Sequence, residues 1–394
     1  MLEKYNFVYL TLLEGRNMKK IHIIEENSAY FGSLPTGCTY CGPGQKLVLL
    51  ITGKCNHRCF YCPLSFKKRG KNVIYANELK VRSGHLEEII DEAHAISAMG
   101  AGITGGNPMV VPELTIDAIR LLKHNFGESH HIHLYTTDNF APNWVNALAA
   151  SGLDELRFHP PIATWGKKNP KLEQLINLAK DNDLSVGAEL PVLPGSKSII
   201  VKFAKYLDSL SAEFLNLNEL EFSESNWARF NAKGYKQKDP ISNSVKGSEA
   251  EAYQILTSLA NDNDLQLSVH YCSAQFKDRQ QLTNRLRRRA KNVKRPFEVI
   301  TDEPTFLLGI IEYSNSIEFS ELKKLIRDFK KKFEIPDNLI NFNKKAHRLE
   351  LAAWVLEELK SELPDNVQNR CFIIEEYPTA DRLEVERIPL LEFK

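Results

Sequence analysis

The run Cys55-Asn-His-Arg-Cys59-Phe-Tyr-Cys62 places three thiols within eight residues, spaced Cys-x3-Cys-x2-Cys. It follows an apolar run, Leu47-Val48-Leu49-Leu50-Ile51, that reads as a buried strand. Free thiols this crowded, between basic and aromatic neighbours, would be an oxidation liability. A closed zinc site takes four ligands, and this run supplies three. A [4Fe–4S] cube also commonly takes four cysteines, so three leave one iron open to a small molecule.

The remaining composition sets bounds. At 394 residues the chain exceeds what one core usually serves, which predicts one large domain and a smaller one. The net charge of +1 argues against a protein that coats nucleic acid, while leaving room for a local basic patch. No apolar run approaches the roughly 20 residues of a membrane helix, so no membrane association is expected. Glu3, Lys4 and Glu14 interrupt the apolar start, which makes a poor signal peptide. Met18, followed by Lys19-Lys20, is a candidate start, and no function is read into residues 1–17. Seven cysteines, three of them in one run, fit a reducing cytoplasm better than a disulfide scaffold.

After the cysteine run, strand and helix patterns alternate. Strands are expected at 101–104, 131–136, 154–159, 184–190, 214–220 and 265–271, giving seven with the first. Between them lie helical repeats: Leu86 to Ile96 after a cap at Ser83, Ile116 to Leu122 opened by Thr115, Trp144 to Ala149, Leu172 to Leu178, and Ile199 to Leu210. Ser248-x-x-Glu251 matches a capping box before the last. The alternation argues for parallel βαβ units. A doubly wound sheet would satisfy it as well as a barrel.

Cys55, Cys59 and Cys62, with Tyr61 before the last of them, resemble the signature of the radical S-adenosylmethionine (SAM) superfamily. The order of elements is similar to the branch related to pyruvate formate-lyase activating enzymes. The resemblance implies that the three thiolates hold a [4Fe–4S] cluster and that SAM chelates the open iron. One electron, from a donor such as flavodoxin or ferredoxin, then yields a 5′-deoxyadenosyl radical that abstracts hydrogen from a substrate. It also favours a full or partial (β/α) barrel over a doubly wound sheet, with chemistry at the C-terminal ends of the strands.

Gly105-Gly106-Asn107-Pro108 resembles the family's Gly-Gly-Glu-Pro element, which meets the amino group of SAM. Asn107 stands where an acid is usual; its amide oxygen can accept from an ammonium, but a charge-assisted bond is about twice as strong. A plain turn is the alternative. Thr136, Thr137 and Asp138 sit where family members place contacts to the SAM ribose or carboxylate, or else form a helix cap. Glu189, Arg157 and His159, at strand ends, are candidates for SAM or substrate contacts. Pro191-Val192-Leu193-Pro194-Gly195 resembles a Val-Pro-Gly element that shapes the adenine pocket.

Other positions lie outside the resemblance. Cys38 and Cys41, in a Gly/Pro-rich turn, make half a metal knuckle that Cys272 could complete as zinc or a second iron–sulfur cluster. Cys41 precedes the first strand and Cys272 ends the seventh, so a joint site requires the 38–45 segment to fold back along the barrel. Asn216, Asn218 and Glu219 alternate with leucines and predict a polar, ligand-lined interior. His131 and His133 share a strand face. Tyr271 and Cys272 are placed for a radical relay. Residues 285–295 form a basic amphipathic helix, either a solvated face or a site for RNA phosphate or a nucleotide.

The expected domains are an N-terminal extension at 1–30, the barrel core at 31–298 and a small α+β domain at 299–394. In the last, helices are expected at 319–333 and 346–363, and strands at 306–313, 371–376 and 382–388. Protein glycyl-radical activation or peptide modification is the favoured activity. The alternatives are modification of tRNA or a nucleotide and, in another class, a non-catalytic iron–sulfur or zinc protein.

Overall fold

The computed structural model describes residues 18–312, 324, 327–328, 330–363 and 365–390. The apolar stretch at 7–13, which reads as strand-like, lies outside these residues, and the helix expected at 319–333 lies largely outside them. The described residues up to His94, with Ala98–Asn284, form one compact unit; Ala95–Ser97 and the residues from Arg285 onward form a second. The basic helix therefore groups mainly with the C-terminal unit, although the sequence reading placed it in the barrel core.

The first unit carries one eleven-stranded sheet. Its strands are β1 His22–Ile23, β2 Ala29–Phe31, β3 Lys46–Thr52, β4 Ile74–Ala76, β5 Leu79–Val81, β6 Gly100–Gly105, β7 His131–Thr136, β8 Glu155–Phe158, β9 Ser185–Val192, β10 Phe214–Glu219 and β11 Ser268–Cys272. The helices are α1 Thr36–Cys41, α2 Glu87–Ala95, α3 Pro112–Phe126, α4 Asn143–Ala150, α5 Pro170–Asp181, α6 Lys197–Ser209, α7 Trp227–Ala232 and α8 Ser248–Ala260. Strand order is β1-β2-β11-β10-β9-β8-β7-β6-β3-β4-β5. The seven expected strands, β3 and β6 to β11, run parallel and side by side in chain order.

The sheet curls without closing. β3 pairs with antiparallel β4 on its outer edge, and β11 with antiparallel β2, so the first and last parallel strands do not meet. Yet Lys46 of β3, His270 of β11 and inward side chains of every parallel strand between them border one cavity. This is a partial (β/α) barrel. The outer faces are sealed by the apolar stripes the periodicity predicted: Ile89, Ile119, Leu148, Leu175, Phe203 and Leu256, one from each of six helices, are all buried.

Some local expectations change. α3 starts at Pro112, ahead of Thr115, whose hydroxyl instead donates to Pro108 O. α2 starts at Glu87, past Ser83. Ser248 does not cap α8: its hydroxyl donates to Val192 O and accepts from Leu220 N, tying β9 to β10. Glu251 accepts from Gly195 N and Lys197 N, and so fixes the 193–197 turn rather than its own helix.

The largest departure is at 36–41. The sequence reads as a Gly/Pro turn, but the segment forms α1, which packs against β3, β6 and β7 and puts Cys38 and Cys41 on the wall of the barrel cavity. Gly37 makes the approach possible. Its N–H donates to Glu155 Oε2 at 3.2 Å, and a Cβ there would lie 2.4 Å from His133 Nδ1 and 2.5 Å from Arg157 Nη2.

The second unit is an antiparallel sheet of β12 Val299–Ile300, β13 Phe306–Glu312, β14 Ile340–Asn343, β15 Arg348–Leu351, β16 Cys371–Glu376 and β17 Glu384–Pro389, ordered β14-β15-β13-β16-β17 with β12 also on β13. The helix expected from 346 is a hairpin strand up to Leu351, and α10 spans only Ala353–Leu359, after α9 Thr283–Val293. Leu349 and Leu351 alternate inward in the strand, while Leu356 faces the same core from the helix, so the apolar spacing across the boundary imitated one long helix. Among the described residues no helix is long and apolar enough to cross a membrane.

Replacing Gly37 by Ala is expected to cost about 1–3 kcal/mol, the usual penalty for overpacking a filled interior. Denaturant unfolding of the variant measures it; an unchanged midpoint would contradict the packing of α1 inside the barrel.

Candidate active site

The three cysteines of the run border the barrel cavity, which has a volume of about 780 Å³. Their loop leaves β3 and is tied down from several sides. Ser225 Oγ donates to Cys62 O at 3.0 Å, Asn226 Nδ2 to Tyr61 O at 3.3 Å, and Arg229 Nη1 to Cys59 O at 3.2 Å. Phe60 packs on Phe230 and Tyr235. The 223–235 segment thus holds the loop from outside. The sequence reading missed it, because serine, asparagine and arginine that bind distant carbonyls leave no spacing signal.

Tyr61 is fixed from within. Its hydroxyl lies 3.0 Å from His159 Nε2, and His159 Nδ1 lies 2.8 Å from Glu189 O. A carbonyl only accepts, so Nδ1 carries the proton and Nε2 accepts from the tyrosine. Burial lowers the His159 pKa, which favours this neutral form. Burial, with the neighbouring Cys59 and Cys62 sulfurs, raises the Tyr61 pKa and keeps its hydroxyl protonated.

Gly106 N donates to Thr52 O, and Asn107 N to Lys54 O, each at 2.8 Å, so the 105–108 turn lies directly against the start of the cysteine loop. A Cβ on Gly106 would fall 2.1 Å from Lys54 O, a backbone approach that only glycine allows. Gly105, Gly106, Thr136, Thr137, Tyr61 and Glu189 all border the cavity, but Asn107 and Asp138 do not. Asn107 is fully buried. Its Oδ1 accepts from Met109 N at 3.2 Å and Thr136 Oγ1 at 2.9 Å; its Nδ2 donates to Thr137 Oγ1 at 3.0 Å and Asn56 Oδ1 at 3.2 Å. Every hydrogen-bonding position of the amide is thereby used inside the protein. Asp138 Oδ2 accepts from Asn169 Nδ2 at 2.5 Å and serves the next turn.

Deeper in the cavity lies a polar layer. Arg157 is held by Glu155, by Glu189 at 3.0 Å and by the Tyr135 hydroxyl at 3.2 Å. Glu189 also accepts from Asn216 at 3.2 Å and Asn218 at 2.7 Å. Burial would raise the Glu189 pKa, but Arg157 and the two amides outweigh it and hold the carboxylate below its usual range. Lys46 Nζ sits 2.7 Å from His131 Nδ1, and burial pulls the lysine down to about 7. His131 therefore pairs with Lys46, and His133 packs edge-on against Tyr135.

Similarity to other proteins now decides the family. A protein of Methanocaldococcus jannaschii is 40% identical over 383 residues, covering 94% of this chain and 96% of its own; it is named as a candidate glycyl-radical enzyme activating enzyme. Residues 49–196 match the family model described as the radical SAM superfamily. The chain belongs to the radical SAM superfamily. It is an enzyme of that family whose substrate is unassigned. Residues 305–390 match a family described only as a domain of unknown function. Among solved structures, anSMEcpe with bound AdoMet is 17% identical, with a TM-score of 0.40 over 57% of this chain and 63% of that one. Methylornithine synthase is 9% identical, with a TM-score of 0.38 over 55% and 62%. Likeness this distant carries no functional argument.

Asn107 is the residue whose replacement tests this hydrogen-bonded junction most directly. Asn107→Asp keeps the shape but removes both N–H donations and sets a buried carboxylate against Asn56 Oδ1, with only the Thr137 hydroxyl able to turn and donate. A loss of about 2–3 kcal/mol in unfolding free energy is expected, and Asn107→Ala, which leaves all four partners unpaired, should lose at least as much. Equal stability of wild type and Asn107→Asp would show that the amide is not the knot between these three turns.

Proposed function

We propose that this enzyme binds a [4Fe–4S] cluster through Cys55, Cys59 and Cys62 and uses SAM to abstract a hydrogen atom, with a glycine of a partner protein, or a peptide, as the favoured target. One arrangement carries the reading: three thiols on one pinned loop face a cavity also bordered by the Gly105-Gly106 turn and by Thr136 and Thr137. The donor set fits. It is all sulfur, and it leaves one iron of a cube without a protein ligand. No three His, Cys, Asp or Glu side chains of the described residues converge on one ion position; a cube binds each thiolate to a different iron and spreads its ligands more widely than a single ion does. When bound, the cluster supplies the electron that cleaves the sulfonium of SAM to a 5′-deoxyadenosyl radical.

The chain's own residues do the positioning. Tyr61, oriented by His159, presents its ring and hydroxyl beside the cluster cysteines. The backbone of Gly105 and Gly106 and the hydroxyl of Thr137 offer polar contacts to SAM, and Asn107 holds those groups in place. Glu189 is the candidate contact deeper in, with its charge already balanced by Arg157. The polar interior formed by Asn216 and Asn218 supports a substrate that enters the barrel. The glycyl-radical target rests on the name of the Methanocaldococcus relative. The electron would come from a small carrier such as flavodoxin or ferredoxin, and the cysteine usage supports a cytoplasmic setting.

RNA as the substrate gains little support. In the basic helix Arg288 donates to Ile96 O at 2.8 Å and Ser97 O at 2.7 Å, and Arg289 to Pro378 O. Arg295 pairs with Glu298 and Glu350 at 2.5 Å each. Arg285 and Arg287 also have partners. Arg288, Arg289 and Arg295 are thus used inside the second unit.

Replacing Cys59 by Ala is expected to abolish the cluster's visible absorbance after anaerobic reconstitution, and SAM cleavage with it. A variant that assembles a normal cluster would contradict the assignment.

A further inference from the structure

Six of the seven cysteines border the barrel cavity, and the cluster loop accounts for three of them. The other three are Cys38 and Cys41 on α1 and Cys272 at the end of β11. Cys38 and Cys41 are one helical turn apart. Cys272 and His270 lie two residues apart on one strand and so face the same side. Asn216 joins the two elements: it pairs in register with His270, and its Nδ2 lies 3.5 Å from Cys38 Sγ.

Two further observations point to a ligand. Side-chain donors are turned onto the sulfurs. Arg157 Nη2 and Asn216 Nδ2 each approach Cys38 Sγ at 3.5 Å, and Gln281 Nε2 approaches Cys272 Sγ at 3.6 Å. A neutral thiol is a weak acceptor and gains little from such company, whereas a thiolate is stabilised by it. Independently, His270 is only 4% exposed and borders the cavity, yet neither ring nitrogen has a partner. A buried imidazole without any hydrogen bond is rare, and ligation is one of the few things that would satisfy it.

We propose that Cys38, Cys41, Cys272 and His270 form a second, thiolate-rich metal centre inside the barrel, taking either a zinc ion or an iron–sulfur cluster. Three thiolates and one imidazole are a closed set for tetrahedral zinc, and the same set can hold a cluster. As the side chains stand they do not converge on one point. Ligation therefore turns the thiols about their Cα–Cβ bonds and releases their protons. Arg157 beside Cys38 offsets the negative charge that three thiolates leave on a divalent ion.

The test is metal content of the full-length chain, purified anaerobically and then reconstituted. Wild type is expected to hold about four irons on the loop plus either about one zinc, or further iron if the second centre is a cluster. A Cys41→Ser/Cys272→Ser double variant should lose only that second component. A Cys55→Ala/Cys59→Ala/Cys62→Ala variant should lose only the loop iron, so failure of the first cluster and failure of the second centre are separable. Cobalt(II) titration guards against misfolding. With the loop thiols removed by Cys55→Ala/Cys59→Ala/Cys62→Ala, the chain should still give intense thiolate-to-cobalt absorption, which adding His270→Asn shifts and adding Cys41→Ser/Cys272→Ser abolishes. Identical metal content in wild type and the double variant, or cobalt spectra of the loop-thiol variant that are identical with and without Cys41 and Cys272, would overturn the proposal, and a spectrum unmoved by His270→Asn would remove the histidine from it.

Discussion

The barrel interior depends on one guanidinium. Arg157 is 2% exposed and projects from β8 between Glu155 and Glu189, with the Tyr135 hydroxyl and the Cys38 sulfur also in contact. A buried cation survives only when its partners are close and every donor is used. Satisfying it recruits neighbouring β7 and β9 and the inserted helix α1. Glu155 in turn accepts from Gly37 N, which holds α1 against the strands. Glu189, fixed by Arg157, offers its backbone carbonyl to His159, and His159 orients Tyr61 in the cysteine loop. An unbroken chain of contacts therefore runs from the deep ion pairs to the proposed cluster site.

This linkage explains how a loop that must present three thiols to a cavity can be both partly exposed and positioned. Loop residues ordinarily pay for exposure with mobility. Here the backbone carbonyls of Cys59, Tyr61 and Cys62 are each bound by a side chain from the 225–229 segment. Asn107 binds Asn56 at the loop's start and the hydroxyls of two consecutive threonines at the end of β7. An acid in that place could not donate to Asn56 and Thr137. The amide serves as a four-way junction.

Much of this was legible in the chain. Short apolar or alternating runs marked the seven parallel strands, and helical spacing marked the faces that cover them, because burial on a curled sheet enforces both patterns. The Cys-x3-Cys-x2-Cys spacing marked the loop. Three features escaped. α1 looked like a turn because glycines and a following proline dominate it, and only the space between His133 and Arg157 shows why the glycine is there. Ser225, Asn226 and Arg229 act across more than 160 residues of sequence, a separation that no local pattern records. The strand Arg348–Leu351 looked helical because its apolar positions continue in phase into α10. Asn107 was legible as a departure from a motif, but its role required the three partners that only the fold brings together.

The central claim is that this chain performs SAM radical chemistry with a cluster on Cys55, Cys59 and Cys62. The most direct measurement is anaerobic formation of 5′-deoxyadenosine by the reconstituted, dithionite-reduced wild-type enzyme supplied with SAM. The account predicts 5′-deoxyadenosine in amounts that depend on reductant and exceed those of the protein before iron and sulfide are added. A protein that assembles its cluster yet yields no 5′-deoxyadenosine above the unreconstituted control, with or without peptide or partner protein present, would contradict it.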